Sequence, residues 1–401
     1  MTWNESTLGD ICDAGQGIIK TGPFGSQLHQ SDYSYAGTPV VMPKDIVGGR
    51  VFETSIARVA EEHVERLSHH KLHPGDIVYG RRGDIGRCAL VTPRESGWLC
   101  GTGCLRIHLG DGEVSSKFLF YFLNNPSTVD WIYNQAVGAT MPNLNTGILR
   151  SIPVHYPARE TQERIAALLS AYDDLIENNT RRIDILEEMA RRLYEEWFVH
   201  FRFPGHEEVS FKESELGKIP EGWECSSLKE FIELAYGKAL KKSERNTGPY
   251  PVYGSSGEVG THNEPLVKGP GIILGRKGNV GSVFWTEDDF YPIDTVYYVK
   301  TDLPLEYVFF NLQRQRFLNN DAAVPGLNRN QAYSLPFLKP SEAVLVDFSS
   351  HCKPIYELVR KLHRKNTNLR AQRDLLLPKL VSGEIDVSDI PIPEDKEVEA
   401  A

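Results

Sequence analysis

Between about Glu160 and Val199, a stretch with no proline or glycine, residues that are apolar but for Asn179 recur in alternating steps of four and three: Ile165, Leu169, Tyr172, Ile176, Asn179, Ile183, Leu186, Ala190, Leu193 and Trp197. This is a heptad seam. It predicts a single helix of roughly 60 Å at about 1.5 Å per residue. A second seam, Ile355, Val359, Leu362, Asn366, Leu369, Arg373 and Leu376, predicts a helix from about Pro354 to Leu377. Pro354 suits its start or a kink, and Pro378 with Gly383 closes it. Each seam includes one asparagine, Asn179 and Asn366, a residue that costs stability when buried but fixes register. Residues 161–199 hold nine acidic and five basic side chains, whereas residues 355–379 hold seven basic and two acidic. Matching seams of opposite charge predict that the two helices pair within the chain. The alternative is that each covers its own neighbouring domain.

The remaining stretches read as mixed α and β, with runs such as Gly271-Ile272-Ile273-Leu274 and Thr295-Val296-Tyr297-Tyr298-Val299 set between glycines and prolines. They also repeat each other. Gly80-Arg81-Arg82-Gly83-Asp84-Ile85-Gly86 matches Gly275-Arg276-Lys277-Gly278-Asn279-Val280-Gly281, 195 positions later, each after a strand-like run. Pro142-x-Leu144-Asn145 matches Pro325-x-Leu327-Asn328 at an offset of 183, as do Ser151-Ile152-Pro153 with Ser334-Leu335-Pro336 and Pro157 with Pro340. Each copy ends at one of the long helices. The plan is domain, helix, domain, helix, and pseudo-twofold geometry follows if the helices run antiparallel.

The chain has 401 residues, enough for two or three domains, and an ordinary globular composition of 40% hydrophobic and 24% charged residues. No apolar run approaches the ~18 residues of a membrane span, and no signal-peptide pattern opens the sequence, so a cytoplasmic location is expected. The six cysteines form no CxxC pair, which argues for reduced thiols and against zinc. A net charge of −10 is a poor prior for a nucleic-acid binder. It is unevenly spread, however. Residues 1–150 and 201–340 are each only −2, and residues 151–200 are −4.

Motifs for catalysis are missing. There is no phosphate-binding GxxxxGK[ST] loop, no dinucleotide fingerprint, no HExxH and no Asp/Asn-Pro-Pro-aromatic tetrapeptide of an amino-methylating site. The histidines His69, His70 and His73 lie in a charged stretch that reads as solvated surface. What recurs is a glycine-bounded turn after a strand, carrying two cations in each copy. Arg81 and Arg82, with Arg276 and Lys277, are therefore candidates for phosphate or guanine contact; solvated hairpin tips are the alternative. Lys238, Lys241 and Lys242 form a second basic cluster, with Lys20 as a thinner counterpart in the first copy. The loops around Thr140 and Asn143 and around Asn328 add hydroxyl and amide groups, which also serve in turns.

With these features the chain resembles the DNA-specificity subunit of type I restriction–modification systems. The resemblance rests on the two related domains, the Gly-Arg-Arg/Lys-Gly turns and the helix opening Gln162-Glu163-Arg164-Ile165-Ala166. It extends to Pro220-Glu221-Gly222-Trp223 and to the ending Leu375-Leu376-Leu377-Pro378-Lys379-Leu380-Val381-Ser382-Gly383-Glu384-Ile385, so it covers the chain to about residue 386. It implies an α+β fold: two tandem target-recognition domains, residues 1–159 and 201–340, separated by a central spacer helix at 160–200 and a distal one at 341–386. The two helices would form an intramolecular antiparallel coiled coil, and 387–401 would be an acidic tail. It also implies a noncatalytic protein. Each domain would read half of a bipartite sequence in double-stranded DNA, and the helices would recruit two methylation subunits, joined by two restriction–translocation subunits. No cofactor is expected on this chain, since S-adenosylmethionine, ATP and magnesium would be bound by the partners. Two other readings stay open: a stand-alone DNA-binding adaptor, and a coiled-coil scaffold that never reads DNA.

Overall fold

A computed structural model of the chain describes residues 2–82, 86–136, 143–317 and 326–391. They pack as two units. One comprises Met1–Ile176 with Thr367–Ala401, and the other Glu177–Asn366. The long helices are therefore not separate bodies: each is divided between the two units.

In the first unit, a four-stranded antiparallel sheet has the order Gln16–Thr21, Cys104–Gly110, Ile77–Gly80, Cys88–Leu90. The helix Ser116–Asn124 buries Phe118, Leu119 and Leu123 in the core of this unit. A second sheet has the order Leu99–Cys100, Thr38–Val41, Ala57–Val59, Tyr33–Ser34, its first pair parallel. Asn4–Thr7 pairs antiparallel with Pro153–Tyr156, just before the first long helix, Arg159–Tyr194. That helix is anchored at its start by Gln162, which is fully buried. Its Oε1 accepts from the Ser115 amide (2.8 Å), and its Nε2 donates to the carbonyls of Pro157 (2.8 Å) and Glu113 (3.2 Å). Ile165, Ala166 and Leu169 then enter the same core as Leu377, Leu380 and Val381 of the second long helix. Asp173 accepts from Tyr121 Oη (2.7 Å) and from the Arg373 guanidinium, an ion pair with both partners mostly shielded from water.

The second unit repeats the design. Its four-stranded antiparallel sheet has the order Glu233–Tyr236, Val296–Lys300, Gly271–Gly275, Val283–Thr286, and the helix Leu305–Arg314 follows. Tyr250–Gly254 pairs antiparallel with Gly257–His262 and parallel with Tyr291–Pro292. Glu224–Ser227 pairs with Pro336–Lys339, just before the second long helix, Glu342–Val381. The first long helix finishes here in a wider π-turn, Glu195–Val199. Its Trp197 and Phe198 pack with Tyr194, Trp223, Tyr307 and Phe348 in one aromatic cluster, with ring centroids 4.7 to 6.3 Å apart.

Helix also meets helix inside this unit. Ile183, Val359 and Leu362 are buried together, with Leu186 half-buried against them. Asn179 and Asn366 are both buried. Asn179 Nδ2 donates to Asn366 Oδ1 (2.8 Å), and Asn366 Nδ2 donates to Thr180 Oγ1 (3.2 Å). One hydrogen bond thus joins the two seam asparagines and Thr180 takes a second from Asn366, which makes their burial tolerable. Ile176 and Leu369 are half-buried.

The second helix corrects its expected start. It begins at Glu342 rather than near Pro354. Proline removes one amide donor, but Pro354 and Ser350, whose carbonyl loses that bond, are both exposed, so water can serve the carbonyl. Upstream, Leu345, Phe348 and Cys352 continue the three–four stepping and are buried, so packing outweighs the proline. Near the other end the buried stripe moves by one residue: Leu377 is buried and Leu376 only half-buried. Among the described residues, no helix is long and apolar enough to cross a membrane.

Candidate nucleic-acid interface

The repeated turn and the repeated Pro-x-Leu-Asn loop are about sixty residues apart in sequence in the first copy, yet they are adjacent in both copies. In the first unit, the buried strand Ile77–Gly80 runs into Arg81. The Gly80 amide donates to Arg87 O (2.8 Å) and the Arg81 amide to Gly103 O (2.8 Å). The Leu144 amide donates to Arg81 O (3.0 Å), and Arg82 bridges Asn143 antiparallel. In the second unit, the Gly275 amide donates to Ser282 O (2.7 Å) and the Arg276 amide to Thr295 O (2.9 Å). The Leu327 amide donates to Arg276 O (2.7 Å), and Lys277 bridges Gly326 antiparallel. The same backbone frame is built twice.

The glycines have defined tasks in it. Gly86 and Gly281, at the ends of the two turns, have φ of +101° and +78°, a region that favours glycine. Gly22 and Gly237 end the sheet strand beside each turn. Their amides donate to Cys104 O (2.9 Å) and Val296 O (3.2 Å), and a Cβ on either would lie 1.9 Å from Gly101 O or 2.0 Å from Ile293 O.

The side chains differ between copies. Arg81 is half-buried, and its Nε donates to the Leu144 carbonyl (2.9 Å). The corresponding carbonyl in the second copy, Leu327 O, is held by Tyr297 Oη (3.2 Å). Burial, reinforced by Tyr236, pushes the Tyr297 phenol up to about 12, so at neutral pH it is a donor. Arg276 instead leans over the rings of Tyr236 (4.9 Å) and Tyr297 (5.7 Å), and its Nη1 donates to Asp294 O (3.1 Å). The first cation of each turn is thus engaged within its own unit in a different way: Arg81 braces the Leu144 loop, and Arg276 rests on Tyr236 and the Asp294 carbonyl. Arg82 is exposed and Lys277 half-exposed.

The other candidates are placed as follows. Lys20 is half-buried on the sheet-edge strand Gln16–Thr21, opposite Arg106. Lys238 is exposed; its amide donates to Pro292 O (3.0 Å), which brings it to the loop that carries Asp294 and Thr295 and hence beside Arg276. Lys241 and Lys242 are exposed in a short turn, and Lys241 is 3.9 Å from Glu244. Asn143 is half-buried, with Oδ1 buried and unpartnered among the described residues. Asn328 Oδ1 accepts from the amides of Asn330 (2.9 Å) and Gln331 (3.3 Å), capping the short helix Arg329–Tyr333. Asn145 does the same for Thr146–Arg150 (2.9 Å to the Ile148 amide). Thr140 lies outside the described residues, as do Gly83, Asp84 and Ile85 of the first turn.

Two side chains absent from the sequence reading stand in the site: Tyr236, and Arg329, whose guanidinium is 4.9 Å from the same Tyr236 ring and 5.8 Å from Tyr333. Their one sequence signal was that Tyr236 precedes Gly237, as Thr21 precedes Gly22. Among the described residues, no three His, Cys, Asp or Glu side chains gather as a metal site. Burial pushes the Cys88, Cys100 and Cys352 thiols up to about 12, far from a reactive thiolate.

Comparison with known proteins agrees with this doubled arrangement. A sequence profile of the type I restriction modification DNA specificity domain matches residues 1–188 and again 220–331. The type I restriction enzyme MjaIX specificity subunit of Methanocaldococcus jannaschii is 24% identical, over 97% of this chain and 94% of its own. The HindI specificity subunit of Haemophilus influenzae is 21% identical, over 96% and 99%. A crystal structure of the S subunit of a type I restriction–modification system from M. genitalium superposes with a TM-score of 0.58 at 18% identity, covering 95% of this chain and 96% of that one. The chain belongs to the type I restriction–modification DNA specificity family.

Proposed function

We propose that this protein is the noncatalytic subunit that gives a type I restriction–modification complex its DNA sequence specificity, with each recognition domain reading one half of a bipartite target. The observation that carries this reading is the turn-and-loop frame built twice with the same sheet order, each time presenting cations beside a capped loop. Arg82, Lys20 and Asn143 face DNA in the first domain, and Lys277, Lys238, Lys241 and Lys242 in the second. Thr140 and Asn328 belong to the adjoining loops. The two long helices, of 36 and 40 residues, form an antiparallel coiled coil that relates the domains by a pseudo-twofold axis and sets their separation. At about 1.5 Å per residue they are roughly 54 and 60 Å long, against ~34–36 Å for a turn of duplex, so they suit two readers in adjacent major grooves.

Methylation and restriction subunits dock on this frame and bring S-adenosylmethionine, ATP and magnesium. The near-neutral recognition segments fit a subunit that needs those partners to hold DNA, and the isolated chain is expected to bind weakly and in a salt-sensitive way. The test is to map modified adenines across the host genome with and without the gene. Loss of modification at one two-part motif on deletion is expected. An unchanged pattern would contradict the proposal. Inserting four residues near Asn179 should lengthen the gap between the half-sites or abolish activity, and full activity with an unchanged gap would exclude the ruler role.

A further inference from the structure

We infer that Tyr236, Arg276 and Arg329 form a stacked clamp that takes a planar pair of hydrogen-bond acceptors on duplex DNA, and that the first domain has no counterpart to it. The inference rests on the specificity reading above and assigns its chemistry in one half.

Three observations carry it. First, Tyr236, a residue 48% exposed, gathers two guanidiniums each 4.9 Å from its ring centroid, so the two charges are at most 9.8 Å apart. Like charges this close, within about one Debye length, favour an anion or a strong acceptor beside them. Second, no carboxylate supplies it. Among the described residues Arg329 has ring contacts and no hydrogen bond or ion pair, and Arg276 donates to the Asp294 carbonyl and to the neutral Tyr297 phenol, with no ion pair to a carboxylate. Third, the stack is pre-positioned. Tyr236 packs on Tyr297 at 5.1 Å, Tyr297 Oη is tied to Leu327 O, and Tyr333 Oη is tied to the Leu234 amide (2.9 Å). Stacking occupies the faces of a guanidinium and leaves the N–H edge of Arg329 free, the geometry that pairs bidentately with guanine O6 and N7 or with two phosphate oxygens, while Arg276 adds its charge beside it. In the first domain, the sheet register and the cap place Thr21 where the second has Tyr236, and Thr146 where it has Arg329.

The test is selection from random-sequence duplexes, with a salt titration, by the complex reconstituted with its methylation subunit. The chains compared are wild type, Arg329→Ala, Arg329→Lys and Tyr236→Leu. If the clamp reads a guanine edge, Arg329→Ala relaxes one position of the second domain's half-site, roughly tenfold or more, and leaves the first half intact. Arg329→Lys does the same while keeping the salt dependence. If it holds phosphate, Arg329→Ala weakens all duplexes alike and lowers the salt slope by about one. Either result supports the clamp and identifies its acceptor. Wild-type motif, affinity and salt slope in both Arg329→Lys and Tyr236→Leu would overturn the clamp alone. A wild-type complex that enriches no motif would overturn the specificity reading itself. Arg329→Lys, which keeps the charge and the stem, carries the result if Arg329→Ala does not fold.

Discussion

The two turns share a backbone frame and carry one pair of residues in inverted order. In the first unit, Tyr79 lies opposite Leu105 across the central strands; in the second, Leu274 lies opposite Tyr297. The hydroxyl has changed strands. Tyr297 Oη holds the loop carbonyl of Leu327, so Arg276 is released to stack on Tyr236. Leu105 has no donor, so Arg81 itself holds the loop carbonyl of Leu144, and Tyr79 Oη is buried without a partner among the described residues. A duplicated scaffold can thus give its two halves different surface chemistry by moving one phenol and setting Tyr236 and Arg329 where the first half has Thr21 and Thr146, with the sheet order unchanged.

The largest effect is expected where the copies are alike. Gly22→Ala and Gly237→Ala each drive a Cβ into a backbone carbonyl that cannot retreat, and each should cost about 3 kcal/mol in its own unit, read by thermal melting. Similar losses at both sites would support a shared frame, and a neutral result at either would contradict it. Next, Tyr297→Phe should cost about 1–3 kcal/mol in urea unfolding, because Leu327 O loses its buried donor. Arg81→Met should cost about 1 kcal/mol, since its bond to Leu144 O is half-exposed. The smallest effect has the opposite sign. Tyr79→Phe removes an unpartnered buried hydroxyl and should be neutral or stabilising by up to about 1 kcal/mol. A cost there as large as at Tyr297 would show that the two phenols are equivalent after all.

Much of the frame was readable in the chain because it rests on local rules. The three–four stepping from Ile165 to Trp197 is a helix period, and the glycine-bounded turns recur at fixed offsets because their backbone needs positive φ at Gly86 and Gly281. The start of the second helix was less legible. Pro354 reads as a barrier, whereas burial of Leu345, Phe348 and Cys352 carries the helix across it. The site was legible only in outline. That Arg81 turns onto its loop while Arg276 turns onto Tyr236 depends on the residue across the sheet, which no local pattern reports. Tyr236 and Arg329 are 93 positions apart in sequence and meet only once the sheet and the cap at Asn328 have formed.

The most direct test of the central claim, that one chain carries two readers at a set distance, is the motif enriched from random-sequence duplexes by the wild-type chain with its methylation subunit. The account predicts two short specified blocks separated by an unspecified gap of fixed length. A single continuous block, or a gap whose length varies freely, would contradict it.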